Sequence, residues 1–229
     1  MIHHSAEHHA AAVDEYLEQA LGLRVDALEA GREHSHSAGL PRIEVSPAQG
    51  KFLQLLTEIT GARRVLEIGT LGGYSTSWLA RGVGAAGTVI SCEFEPLHAS
   101  IARENLQRAG LSERVEIRLG AAQGSMDSLI SKRVAPFDLI FIDADKRNNV
   151  PYLERALELA HSGTVLVLDN VVRSGAVLDD PSRNGTQEAD VRGIQDSLRW
   201  LRDDPRVSAT ALQTVGVKGW DGFALARVL

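Results

Sequence analysis

Short apolar runs alternate with amphipathic stretches through the middle of the chain. Arg64–Ile68 precedes helical spacing over Ser75–Arg81, and Thr88–Cys92 precedes Leu97–Ala109. Val115–Leu119 is followed by a helical stretch around Ser125–Ser131, Phe137–Ile142 by one near Pro151–His161, and Thr164–Leu168 closes the series. Runs of this length suit buried strands, and their alternation with helices predicts βαβ units and a parallel sheet. Ahead of them, Phe52, Leu55, Leu56 and Ile59 recur at helical spacing in Pro47–Ile59, and Gly61 follows as a stop signal. After them, a helix near Ala189–Asp203 leads into strand-like runs at Val207–Val215 and Gly222–Val228, which read as a hairpin. The expected fold is therefore α/β and Rossmann-like: a seven-stranded, mostly parallel sheet with a C-terminal antiparallel hairpin and helices on both faces.

Outside this pattern, residues 1–40 read as an N-terminal helical or flexible extension to a domain at 41–229, with a helical stretch near Ala12–Leu28. The extension carries His3, His4, His8, His9, His34 and His36, which fit a solvated tail better than a metal site. Arg173–Gly185 is the one long connection without periodicity, and loops of that kind often border active sites.

Composition narrows the function classes. With 229 residues the chain fits one domain, and 44% apolar and 24% charged residues suit a soluble enzyme. A net charge of -6 without a basic tract argues against nucleic acid and anionic membrane as partners. No run approaches the length that spans a bilayer, and no basic segment precedes an apolar start. Cys92 is the single cysteine, so no internal disulfide forms; a small buried residue in a reducing cytoplasm is expected.

The first strand runs into Gly69, Gly72 and Gly73, where the chain turns sharply towards a helix. In a doubly wound sheet this turn lies at the carboxyl ends of the strands, where nucleotide-like ligands settle. The spacing lacks the pyrophosphate fingerprint and no Walker lysine follows, so phosphate binding loses ground. Glu67 would repel a pyrophosphate but suits a ligand with an ammonium or sulfonium charge. Glu93, 24 residues beyond Gly69, stands where an acid accepts ribose hydroxyls. Taken alone, the glycine turn also has a purely structural reading.

The fourth strand ends in Asp143-Ala144-Asp145-Lys146 and the fifth in Asp169-Asn170. Adjacent strands lie about 4.8 Å apart, so Asp143, Asp169 and Asn170 could share one ion, or they could simply cap the helices that follow. Two carboxylates and an amide suit a hard cation such as magnesium, with manganese and calcium as relatives in preference, rather than zinc. Beside such an ion a neutral amine is favoured, which makes Lys146 the candidate general base; a surface lysine is the bland alternative, weakened because it would oppose the helix dipole.

Leu66-Glu-Ile-Gly-Thr, Gly73-Tyr-Ser, Phe141-Ile-Asp-Ala-Asp-Lys and Leu168-Asp-Asn together resemble the cation-dependent O-methyltransferases of the catechol and caffeoyl-coenzyme A type, over roughly residues 43–229. The resemblance implies a class I methyltransferase fold and S-adenosylmethionine (SAM) as methyl donor. It implies metal ligands at Asp143, Asp169 and Asn170, and cofactor contacts at Val45, Glu67, Gly69, Ser75, Glu93, Ala122, Asp143, Asp145 and Tyr152. It also implies a homodimer acting on a small hydroxylated aromatic, with Lys146 taking a proton from one of two vicinal hydroxyls. The sequence departs from the family pattern at Asn149, where tyrosine is usual, and at Arg173, where a large aromatic is common. A SAM-binding protein without catalysis is the rival reading, and a nicotinamide-dependent oxidoreductase a weaker one.

Overall fold

The computed structural model describes residues 2–229, with side chains from residue 9 onward; His3, His4 and His8 therefore lie outside the described side chains. Five strands, β1 (Arg64–Ile68), β2 (Thr88–Glu93), β3 (Val115–Leu119), β4 (Phe137–Ile142) and β5 (Ala160–Asp169), form the parallel part of the sheet. β6 (Val207–Gly216) and β7 (Gly219–Val228) make the antiparallel hairpin, and β7 pairs with β5. The order is β3-β2-β1-β4-β5-β7-β6, the seven-stranded architecture read from the pattern.

Period-two side-chain alternation explains the layers. Leu66, Ile68, Ile140, Ile142, Leu166 and Leu168 face one apolar cluster, while Val65, Leu139, Phe141, Val165 and Val167 face another. The first is covered by α6 (Ala122–Ser131), α7 (Asn149–Glu158) and α8 (Glu188–Asp203) through Met126, Leu129, Leu153, Ile194 and Leu201. The second is covered by α2 (Asp26–Ser37), α3 (Pro47–Ile59), α4 (Tyr74–Gly82) and α5 (Pro96–Arg108) through Leu28, Leu53, Trp78, Leu79 and Leu106. Helices thus lie on both faces. Because β1 neighbours both β2 and β4, the strand order reverses there, and the crevice opens between their carboxyl ends.

Two local expectations need correction. The stretch Ala12–Leu28 is not one helix: α1 (Ile2–Ala20) ends ahead of Gly22, whose φ of +61° favours glycine, and α2 begins at Asp26. His34 and His36 are not in a solvated tail. His34 Nδ1 pairs with Asn105 Oδ1 at 2.8 Å and His36 Nε2 with Glu44 Oε1 at 3.0 Å. Asn105 Nδ2 in turn donates to Gly31 O and Gly72 O, so α2 buttresses the glycine turn. A smaller shift occurs after α7, which stops at Glu158 because β5 already starts at Ala160, with an irregular register opposite Phe137 and Leu139.

Candidate active site

The carboxyl ends of all five parallel strands converge on one open cleft of about 1590 Å³. Pockets for a single drug-sized ligand hold ~300–1,000 Å³, so this volume suits two ligands side by side. Val45, Gly69, Ser75, Glu93, Ala122, Asp143, Asp145, Lys146, Tyr152, Asp169 and Asn170 all border it. Gly69 has φ +99°, and a Cβ there would overlap the carbonyl oxygen of Asp143. Glycine is what lets the β1 turn and the β4 end pack this closely.

Glu67 is the exception among the expected contacts. It is fully buried beneath the cleft and does not line it. Its carboxyl accepts hydrogen bonds from Ser75 Oγ at 2.6 Å and from the hydroxyls of Thr76 and Ser91. Burial still pushes its pKa up to about 7, the three hydroxyls offsetting only part of that penalty. Glu67 thus anchors the first turn of α4, and Ser75 rather than Glu67 reaches the cleft wall.

Glu93 sits at the rim as expected and is held rigidly. Its Oε2 accepts the backbone N–H of Thr70 (3.1 Å) and Leu71 (2.7 Å), and its Oε1 that of Glu95 (2.9 Å). A carboxylate has about four acceptor sites, so capacity remains for a ligand hydroxyl. On the opposite wall, Tyr152 Oη donates to Asp145 Oδ1 at 2.6 Å and Asn148 Nδ2 to its Oδ2. Gln123 Nε2 donates to Asn148 Oδ1 at 3.0 Å, closing a polar chain in which burial and Asp145 keep the Tyr152 phenol protonated.

Asp169 is only 3% exposed. Its Oδ1 accepts the Asn170 N–H at 2.8 Å and its Oδ2 accepts Gln49 Nε2 at 2.7 Å. Burial, and then the neighbouring Asp143 carboxylate, push the Asp169 pKa up. Asp143 Oδ1 accepts Lys146 Nζ at 2.9 Å, and Lys146 is itself 3% exposed. Lys146 contacts Asp143 but not Asp169, so two neighbouring carboxylates, Asp169 buried and Asp143 partly so, leave negative charge that a divalent cation would offset. The donor set of Asp143, Asp169 and Asn170 is all oxygen, so it fits a hard cation; among the described residues no cluster of three His, Cys, Asp or Glu side chains occurs.

Several contributors escaped sequence reading. Gln49 and Phe52 sit three apart on α3, on one face of the helix, and both border the cleft. Phe223 on β7 is in register with Asp169, and its ring lies 5.1 Å from that of Phe52. An aromatic pair therefore adjoins the carboxylates. Gly193 on α8 packs against the Lys146 segment: a Cβ there would overlap Lys146 O and come within 2.8 Å of Arg147 Cα. Asn149 is fully buried with both side-chain polar atoms unpaired and does not border the cleft, whereas Arg173 does. The loop after Asn170 also brings Ser174 and Gln187 to the rim, as its length suggested.

Comparison with known proteins agrees with this geometry. The model of an O-methyltransferase family matches residues 22–229. A catechol O-methyltransferase from Mycobacterium tuberculosis is 51% identical over 216 residues, 94% of each chain. One from Niastella koreensis is 46% identical, over 95% of this chain and 96% of its own. The crystal structure of an O-methyltransferase from Bacillus cereus in complex with SAH, 50% identical, superposes with a TM-score of 0.93 over 97% of this chain and 99% of that one. The chain belongs to the cation-dependent O-methyltransferase family, has the class I methyltransferase fold, and is a SAM-dependent O-methyltransferase.

Proposed function

We propose that the chain transfers the methyl group to one hydroxyl of a catechol-like, vicinal dihydroxy aromatic, with a divalent cation, magnesium or a similar ion, at Asp143, Asp169 and Asn170. The observation that carries this reading is the Asp143–Lys146–Asp169 group, with Lys146 and Asp169 buried, set beside the Phe52–Phe223 pair. A flat ring against Phe223 would present its hydroxyls to the carboxylate edge, and two relatives above are named for catechol.

When bound, the cation would supply Lewis-acid charge that makes an acceptor hydroxyl more acidic. Lys146 Nζ, in its neutral amine form, would receive that proton; its burial keeps the amine on target and Asp143 Oδ1 fixes its direction. The Gln49 amide and the Asn170 N–H hold Asp169 from both oxygens, so the carboxylate does not rotate. Displacement at the sulfonium methyl then gives a methyl ether and S-adenosylhomocysteine (SAH) without a covalent enzyme intermediate. On the donor side, Glu93 would take the ribose hydroxyls, Ala122, Asp145 and Tyr152 would flank the adenosine, and Val45, Gly69, Ser75 and Asp143 would surround the methionine portion.

Exposed Tyr16 and Leu17 on α1, with Leu21 just after it, support a homodimer, and the lone buried Cys92 agrees with a cytoplasmic setting. Among the described residues no helix is long and apolar enough to cross a membrane. The test of the reading is methyl transfer to catechol against phenol and 2-methoxyphenol. Transfer to catechol alone is expected; equal transfer to phenol would contradict it.

A further inference from the structure

Arg173 borders the cleft three residues beyond Asn170, where its guanidinium has no carboxylate partner among the described residues. The residue is half-buried. Its backbone is also held in an unfavourable conformation, with φ +48°, followed by Ser174 at +55°. For residues other than glycine such left-handed turns cost energy and persist only where the surroundings enforce them. Here Asp221 Oδ1 enforces it, accepting the N–H groups of Val172 (3.1 Å), Arg173 (2.9 Å) and Gly222 (2.9 Å). Ser174 N–H donates to Trp220 O at 2.8 Å, which ties the turn to β7 next to Phe223. Asp221 is thereby occupied with backbone and makes no ion pair with the Arg173 side chain.

A rigid, strained turn thus delivers an unpaired guanidinium to the acceptor end of the cleft. The other basic side chains there are engaged: Lys146 Nζ by Asp143, and Lys218 Nζ by the carbonyl of Arg42 at 3.1 Å. We propose that Arg173 is a specificity-determining residue that pairs with a carboxylate on the acceptor, so that the preferred substrates are vicinal dihydroxy aromatics bearing an acidic side group. Guanidinium geometry favours a planar carboxylate, bound through two parallel hydrogen bonds. This inference rests on the catechol reading of the same site.

The experiment compares kcat/KM for catechol, 3,4-dihydroxybenzoate and 3-(3,4-dihydroxyphenyl)propanoate in the wild type and in Arg173→Gln and Arg173→Lys. The ratio of kcat/KM for the better carboxylate over catechol is expected to fall at least about tenfold in Arg173→Gln, mainly through KM, and to recover in part in Arg173→Lys. A ratio unchanged in Arg173→Gln, with catechol still methylated, overturns the role of Arg173 alone. Transfer to none of the three compounds by a wild type that still binds SAH overturns the catechol reading and this inference with it.

Discussion

Gln49 and Asp169 lie 120 residues apart in sequence, yet the Gln49 side-chain amide donates to Asp169 Oδ2 at 2.7 Å. The bond links the first turn of α3 to the end of β5, and Ser46 prepares it by capping α3 through the Gln49 N–H at 3.2 Å. It leaves Asp169 oriented towards the cleft with both oxygens fixed.

Outer partners of metal-binding groups are worth about 10–100-fold in metal affinity or activity. Gln49→Leu is therefore expected to raise the magnesium concentration giving half-maximal activity by about tenfold, while SAH affinity changes far less. Magnesium titration of the variant beside the wild type checks this, and an unchanged midpoint would remove Gln49 from the site.

Lys146→Ala should lower kcat by about 10²–10⁴-fold, the usual contribution of a positioned acid or base. Single-turnover kinetics at saturating SAM separates this from a binding defect. A wild-type rate in the variant would exclude Lys146 as the base.

Gly193→Ala reaches the same lysine from the other side. The added Cβ collides with the Lys146 carbonyl and with Arg147, and α8 and the Lys146 turn must part. Overpacking of this kind typically costs about 1–3 kcal/mol. The variant should unfold earlier in denaturant and also lose kcat at temperatures where it is fully folded. Lost stability with an intact kcat would mean that α8 supports the fold without positioning Lys146.

Much of this arrangement was legible in the chain. β1, β3, β4 and α3 begin and end where the apolar runs do, because strand and helix periods are local properties. Asp143, Lys146, Asp169 and Asn170 were legible because each ends a strand or opens the turn after it. The position of Glu67 beneath the cleft is not legible, because sequence shows that it carries charge but not that Ser75, Thr76 and Ser91 enclose it. Gln49, Phe223 and Gly193 act only through partners distant in sequence, and such pairings leave no local signal. The break between α1 and α2 turns on Gly22, a single residue inside an otherwise helical pattern.

Glu67 gives the folded protein a pH signature. Its carboxyl rises from the ordinary 4.5 to about 7 on burial, so between these values the folded state holds a proton that the unfolded chain has released. Stability then falls as pH rises from about 4.5 to 7 and levels off above, by an amount on the order of 3 kcal/mol. Asp169, raised by burial and by Asp143, adds a slope of the same sign in metal-free protein. Denaturant unfolding across this range should show a shallower slope in Glu67→Gln than in the wild type; identical slopes would contradict the assignment.

The most direct measurement is methyl transfer from labelled SAM to catechol after chelator treatment, followed by magnesium addition, with SAH binding followed in parallel. The expected result is that chelator abolishes transfer, magnesium restores it in the wild type but not in Asp169→Ala, and SAH binds throughout. Undiminished transfer in chelator would contradict the assignment of Asp143, Asp169 and Asn170 to a catalytic cation.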